Sequence, residues 1–124
     1  MKAIGFKTSH PIEHNESFIE FETKTPRPTG RDLLVKIEAV SVNPVDYKIR
    51  ENSAKGKVLD APKIIGWDSV GTIEAVGDKT ELFKVGDTIF YAGDITRPGT
   101  NAEFQLVDER IVGKRPSNIS LEEA

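Results

Sequence analysis

The sequence predicts an all-β fold, a small barrel or sandwich with short peripheral helices. Three observations predict it. About seven short apolar runs follow one another, separated by turns rich in Gly, Pro, Asp and Asn. No strand alternates with the long helix that a parallel crossover needs. The run Gly66–Gly77 also sets three glycines, spaced Gly-x4-Gly-x5-Gly, among strand formers. Glycine inside a strand marks a bend or a close backbone approach. That run is expected to curve tightly, as a strand does at the corner of a small barrel.

The elements follow in order. Lys2–Phe6 reads as a first strand and Phe18–Glu22 as a second, with turn chemistry at Thr8-Ser9-His10-Pro11 between them. Pro26, Pro28 and Gly30 make a stiff loop. Leu33–Val42 is the clearest strand, with Val35, Ile37 and Ala39 alternating against Lys36, Glu38 and Val40. Its late part, Ala39–Val42, is apolar on both faces, so that end is expected to dive into the protein. A short helix follows. Asn43 is a good N-cap, Pro44 suits the first helical position, and Asp46 lies in the first turn where the dipole favours an anion. Asp46 and Arg50 are one turn apart and are expected to pair. Residues 52–57 form a polar loop. After Gly77, Leu82 and Phe83 read as a short apolar plug. Thr88–Ala92, Ala102–Val107 and Ile111–Lys114 are the remaining strands, with a Gly- and Pro-containing loop over 93–101. Ser120 and Glu123 form a capping box that announces a helix at the C-terminus. The expectation is a fragment of a longer protein.

Composition excludes several classes. The 124 residues suffice for one modest core, and the net charge of −3 with mixed signs does not favour nucleic acid or an anionic membrane. There is no cysteine, hence no disulfide and no thiolate ligand. No apolar run approaches the roughly 20 residues of a membrane span, and the N-terminus lacks a signal-peptide core. A soluble, cytoplasmic protein is expected. His10 and His14 are the two histidines. Their spacing suits a helical metal pair, but Pro11 intervenes and no acidic partner is evident, so they read as exposed loop residues.

The glycine run is not a dinucleotide fingerprint, which needs Gly-x-Gly-x-x-Gly between a strand and a long helix. The residues alone leave a possible polar cluster of Asn43, Asp46, Tyr47, Lys48, Trp67 and Asp68. Asp68 is expected to be a partly buried partner, with Arg50 as one candidate for its counter-ion, because an unpaired buried carboxylate is costly.

Four motifs carry a resemblance: Val42-Asn43-Pro44-Val45-Asp46-Tyr47-Lys48-Ile49-Arg50, Gly66-Trp67-Asp68-Ser69-Val70-Gly71-Thr72-Ile73-Glu74-Ala75-Val76-Gly77, Phe83-Lys84-Val85-Gly86-Asp87-Thr88-Ile89-Phe90 and Asn101-Ala102-Glu103-Phe104. In this order they resemble the N-terminal, GroES-like catalytic domain of the medium-chain dehydrogenase/reductase superfamily, over residues 1–124. The nearest likeness is to the zinc-independent NADPH:quinone oxidoreductase branch, in proteins labelled zinc-type alcohol dehydrogenase-like. The resemblance implies a partly open GroES-like β-barrel, cut before a Rossmann domain that binds NADPH. It implies an oxidoreductase that reduces quinones or activated carbonyl and enone compounds by hydride transfer, and a homodimer when full length. The 124-residue chain alone is then expected to be inactive.

The resemblance also assigns roles. Zinc alcohol dehydrogenases of the superfamily carry a cysteine ligand at the position of Asn43 and a histidine ligand at that of Trp67. Their supporting acids survive as Asp46 and Asp68, and their four-cysteine structural-zinc lobe is missing. No zinc is therefore expected. Without a metal, hydride transfer depends on positioning and on hydrogen bonds to the developing oxyanion. Asn43 is implied to face nicotinamide and substrate, Tyr47 and Lys48 are candidate donors, and Trp67 is a candidate flat wall of the substrate pocket. Asp46, Arg50 and Asp68 support them. Each residue also has a structural reading: Asn43 as cap, Asp46 as a first-turn acid, Tyr47 and Lys48 as a solvated helix face, Trp67 as core. The rival function is a non-enzymatic GroES-like binding or chaperone module, which has no use for Asn43-Pro44-Val45-Asp46.

Overall fold

The computed structural model describes residues 1–124. Its strands are β1 (Lys2–Gly5), β2 (Ile19–Glu22), β3 (Asp32–Ser41), β4 (Asp68–Val76), β5 (Thr88–Tyr91), β6 (Phe104–Asp108) and β7 (Gly113–Lys114). One α-helix, α1 (Pro44–Asn52), lies between β3 and β4, and a 3-10 turn spans Glu109–Ile111. Five strands form an antiparallel sheet in the order β6-β3-β4-β5-β7, while β1 and β2 pair separately. Single bridges, Ala3 to Ala102 and Phe6 to Lys63, stitch the small sheet to the rest. The sheet does not close, so the barrel is partly open, as expected.

The core lies in two places. Leu33, Val35, Ile73, Ile89, Tyr91 and Val107 pack on one face of the large sheet. Phe6, Ala54, Ile65 and Trp67 form a second cluster, against which α1 lays Val45 and Ile49. Each of the larger aliphatic and Phe side chains among them contributes about 1.5–3 kcal/mol by leaving water. The second cluster therefore fixes α1 against the segment that leads into β4.

The glycines of the central run act by close approach. A Cβ at Gly71 would run into the Lys36 carbonyl and the Val35 side chain of β3. The β3–β4 ladder shifts register twice, between Leu34 and Val35 and between Ile37 and Ala39, which bends the pair. Gly66 lies outside the strand, at φ 94°, where an L side chain is strained.

The structure corrects the burial expected along β3. Leu33, Leu34 and Val35 are all buried at its start, where β4 and β6 flank it. Pairing with β6 stops at Lys36, and the apolar end stays open, with Val40 44% and Val42 85% exposed. Alternation reports where side chains point but not what covers them. Likewise, of the expected apolar plug only Phe83 packs on the core, while Leu82 is exposed and uses its N–H instead.

That N–H goes to Glu109, the most deeply buried carboxylate. Its oxygens accept from the N–H groups of Glu81 and Leu82 and from Arg31. Burial pushes this carboxyl up, but the two N–H groups and the guanidinium outweigh it and hold it below the ordinary value. At the C-terminus, Ser120 N–H donates to Glu123 Oε2 at 2.9 Å and Glu123 N–H to Ser120 Oγ at 3.2 Å, the expected capping box. No helix of the chain is long and apolar enough to cross a membrane.

Candidate functional site

β3 and β4 end together. Ser41 stands opposite Asp68 in the ladder, and Asn43 follows Ser41 by two residues. This brings the N-cap of α1 to the first residue of β4. The Asn43 amide nitrogen donates to Asp68 Oδ2 at 2.7 Å and to the Ser41 carbonyl at 3.3 Å. The Asn43 backbone N–H donates to Asp46 Oδ2 at 2.7 Å, so the first-turn acid caps the helix from inside. Both Asn43 and Asp68 are half-buried. Asn43 thus bridges two carboxylates that share one corner.

A groove of about 530 Å³ opens beside this corner. The exposed end of β3 (Val40), the start of β4 (Asp68 and Ser69) and the end of β5 (Phe90 and Tyr91) line it, together with the chain's last four residues. Exposed apolar side chains on its lining are Val40, 44% exposed, and Phe90, 37% exposed. Its polar groups come from Ser41, Asp68, Ser69 and Tyr91 and from the C-terminal Glu122 and Glu123.

The structure places the sequence-predicted residues unequally. Asn43 and Asp68 meet. Tyr47 and Lys48 lie exposed on α1, outside the groove lining. Trp67 is 1% exposed, and its ring packs with Phe6, Ala54 and Ile65 instead of presenting a flat face. The expected pairing of Asp46 with Arg50 does not form. Asp46 turns back to the Asn43 N–H, while Arg50 donates to the His10 carbonyl at 2.8 Å and lies over the Phe18 ring. Nor does Arg50 reach Asp68, whose partner is the Asn43 amide. The His10 carbonyl and the Phe18 ring hold the guanidinium instead.

Sequence reasoning missed Ser69 and Tyr91, which oppose each other across β4 and β5. The Tyr91 hydroxyl donates to Gln105 Oε1 at 2.7 Å, and Gln105 passes the chain on to the Pro98 carbonyl at 3.0 Å. Burial pushes the Tyr91 hydroxyl up to about 12; the Ser69 hydroxyl pulls weakly the other way without reaching hydrogen-bond geometry. Tyr91 is therefore a fixed donor at neutral pH. Ser69 Oγ, Asp46 Oδ1 and Trp67 Nε1 are buried around this corner with no protein partner. Buried polar atoms are nearly always satisfied; of the three, only Ser69 lines the groove, so its hydroxyl marks a place there for bound water or ligand, while Trp67 Nε1 lies in the cluster with Phe6 and Ile65. The available signal was one hydroxyl residue directly after Asp68 in an otherwise apolar strand start.

The donor set does not fit a catalytic zinc. Such a site needs about three nitrogen, sulfur or carboxylate ligands. The corner offers two carboxylates, Asp68, which holds the Asn43 amide, and Asp46, which holds the Asn43 backbone N–H, and no third ligand. The Asn43 amide is a donor to Asp68, and a buried indole N–H only donates. The one converging trio of His, Asp or Glu ligands in the chain is formed by other residues, His10, His14 and Glu16.

Comparison with known proteins agrees with this architecture. Residues 29–117 match the family model of the alcohol dehydrogenase GroES-like domain. A zinc-type alcohol dehydrogenase-like protein of Staphylococcus aureus is 47% identical over 124 residues, covering 100% of this chain and 36% of that protein. Human quinone oxidoreductase is 37% identical over 98 residues, covering 79% of this chain and 29% of that protein. Among solved structures, a Rhizobium etli protein assigned to the zinc-dependent alcohol dehydrogenases superposes with a TM-score of 0.91 at 49% identity, over 98% of this chain and 34% of that one. A mycobacterial protein solved with NADPH gives 0.81 at 26% identity, over 98% of this chain and 35% of that one. The chain thus spans about a third of the length of these relatives. It belongs to the alcohol dehydrogenase GroES-like domain family, within the medium-chain dehydrogenase/reductases.

Proposed function

We propose that this chain is the catalytic-domain part of an NADPH-dependent oxidoreductase that reduces quinones or other activated carbonyl and enone compounds without a catalytic zinc. The observation that carries the reading is the Asn43–Asp68 hydrogen bond, whose acceptor Asp68 lines the groove. By the resemblance, the superfamily's zinc enzymes carry metal ligands at the positions of Asn43 and Trp67, which here are an amide that donates to Asp68 and a buried indole. Relatives that are quinone oxidoreductases, or that bind NADPH, support the reaction class.

The chemistry follows from the groups at hand. NADPH, when bound, supplies the hydride. The groove takes a planar apolar substrate against Val40 and Phe90. Asp68 holds the Asn43 amide in one orientation, so Asn43 positions what docks on it instead of rotating freely. Lys48 and Tyr47 sit on the exposed face of α1, within the same helix that Asn43 caps. They are the donors that meet the developing oxyanion and deliver a proton to it once a second domain closes over this face. A nucleotide-binding domain is the proposed source of the opposite wall, and dimerisation is proposed for the full-length protein. The 124-residue chain alone is proposed to be inactive and not to bind NADPH.

The test is steady-state NADPH oxidation by the full-length protein with a series of quinones and enones. Quinone-dependent oxidation that falls at least tenfold in Asn43→Ala, with the fold retained, supports the reading. Activity only towards alcohols, dependent on added zinc, overturns it.

A further inference from the structure

The loop between β1 and β2 gathers the two histidines and a carboxylate. His10, His14 and Glu16 each present a ligand atom within 4.8 Å of the others'. The imidazole rings stack with centroids 3.8 Å apart and planes 9° from parallel. Pro11, which rules out a helix here, serves the same end by a turn: His14 N–H donates to the Pro11 carbonyl at 3.0 Å and folds His14 back under His10. Glu16 is the acid that spacing alone did not reveal.

The loop is held in place. Ser9 N–H donates to the Ala54 carbonyl at 3.1 Å, and Ala54 N–H returns a bond to Ser9 Oγ at 3.0 Å. Arg50, itself buried, grips the His10 carbonyl at 2.8 Å. Ser17 N–H closes on the His14 carbonyl at 3.0 Å. The backbone positions of all three side chains are thus fixed before any ligand arrives, which lowers the entropy lost on binding.

We propose that His10, His14 and Glu16 form a binding site for a divalent transition-metal ion, separate from the groove. Two imidazoles and one carboxylate suit Zn²⁺, Cu²⁺ or Ni²⁺, with water completing the shell. His14 Nδ1 accepts the Glu16 N–H at 3.0 Å, so its lone pair points at the Glu16 backbone and its ring hydrogen is on Nε2. The metal takes that lone pair and releases an N–H that is already exposed to water. His10 leaves the stack by side-chain rotation to point a nitrogen at the same ion. Cu²⁺ binds tightest of the three by the general order of divalent affinities. The site does not depend on the reading of the groove.

The test exploits the count of histidines, which is two. Both imidazoles are followed by long-range proton–nitrogen spectra of the labelled chain as Zn²⁺, and separately Cu²⁺ with absorbance detection, is added. Joint movement of both rings, saturating at one equivalent, is expected. His10→Ala and His14→Ala are each expected to weaken binding by about tenfold or more, since even partners behind a ligand cost that much. Glu16→Gln weakens it less, and circular dichroism checks that each variant folds. The proposal is overturned if the rings respond with different midpoints, or if either alanine variant binds as tightly as the parent chain.

Discussion

The Asn43 amide donates to Asp68 at 2.7 Å while its own backbone N–H is held by Asp46 at the same distance, so one residue ties helix, strand and groove together. A hydrogen bond to a charged acceptor contributes about 1.5–3 kcal/mol. Asn43→Ala is expected to lower unfolding free energy by about 2 kcal/mol in urea titration. Asn43→Asp is expected to cost more at pH 7 than at pH 4, because it places a second negative charge against Asp68. Equal costs at the two pH values would mean that Asp68 is not the partner.

Trp67 is the sole tryptophan, so its emission reports one place. With 1% exposure it is expected to emit as a buried indole and to resist iodide quenching. Trp67→Ala is expected to cost about 3–5 kcal/mol, the range for removing a large core aromatic. Ready quenching by iodide would restore Trp67 as an exposed pocket wall.

Tyr91 sets a pH signature at the alkaline end. Its folded value of about 12 lies above the ordinary 10.0, so the folded state keeps a proton that the unfolded state loses first. Its contribution to stability is complete below pH 10 and is lost as pH rises towards 12. In Tyr47→Phe, which leaves Tyr91 as the single tyrosine, phenolate absorbance is expected to appear only near the top of that window.

Glu109 sets the acid end, with the opposite sign. Its folded value is lowered below the ordinary 4.5, so its contribution is present above that pH and is lost as pH falls through the folded value. Glu109→Gln is expected to lower the melting temperature at pH 7 and to flatten the loss of stability on acidification. A variant as stable as the parent at pH 7 would show that the Glu81 and Leu82 N–H groups find other acceptors.

Much of the fold was legible because local signals agreed. Asn43-Pro44 opens α1 and the Gly66–Gly77 run bends β4, and both depend on residues adjacent in sequence. Burial was less legible. Val40 and Val42 are apolar and open, since nothing in their alternation says that β6 stops short of them. Partners distant in sequence were least legible. Arg50 had two acids within plausible reach and took a carbonyl, because Phe18 and the His10 loop arrive from another strand pair. The same loop hid the approach of Glu16 to His14, which depends on a turn at Pro11.

The central claim is hydride transfer without zinc at the Asn43–Asp68 corner. Its most direct test is the NADPH-dependent quinone reductase rate of the full-length protein before and after exhaustive chelation. The predicted result is an unchanged rate in the metal-stripped protein, whatever metal the His10–His14 loop releases. A rate that collapses on chelation, and returns with one equivalent of zinc in His10→Ala/His14→Ala as in the parent, would contradict it.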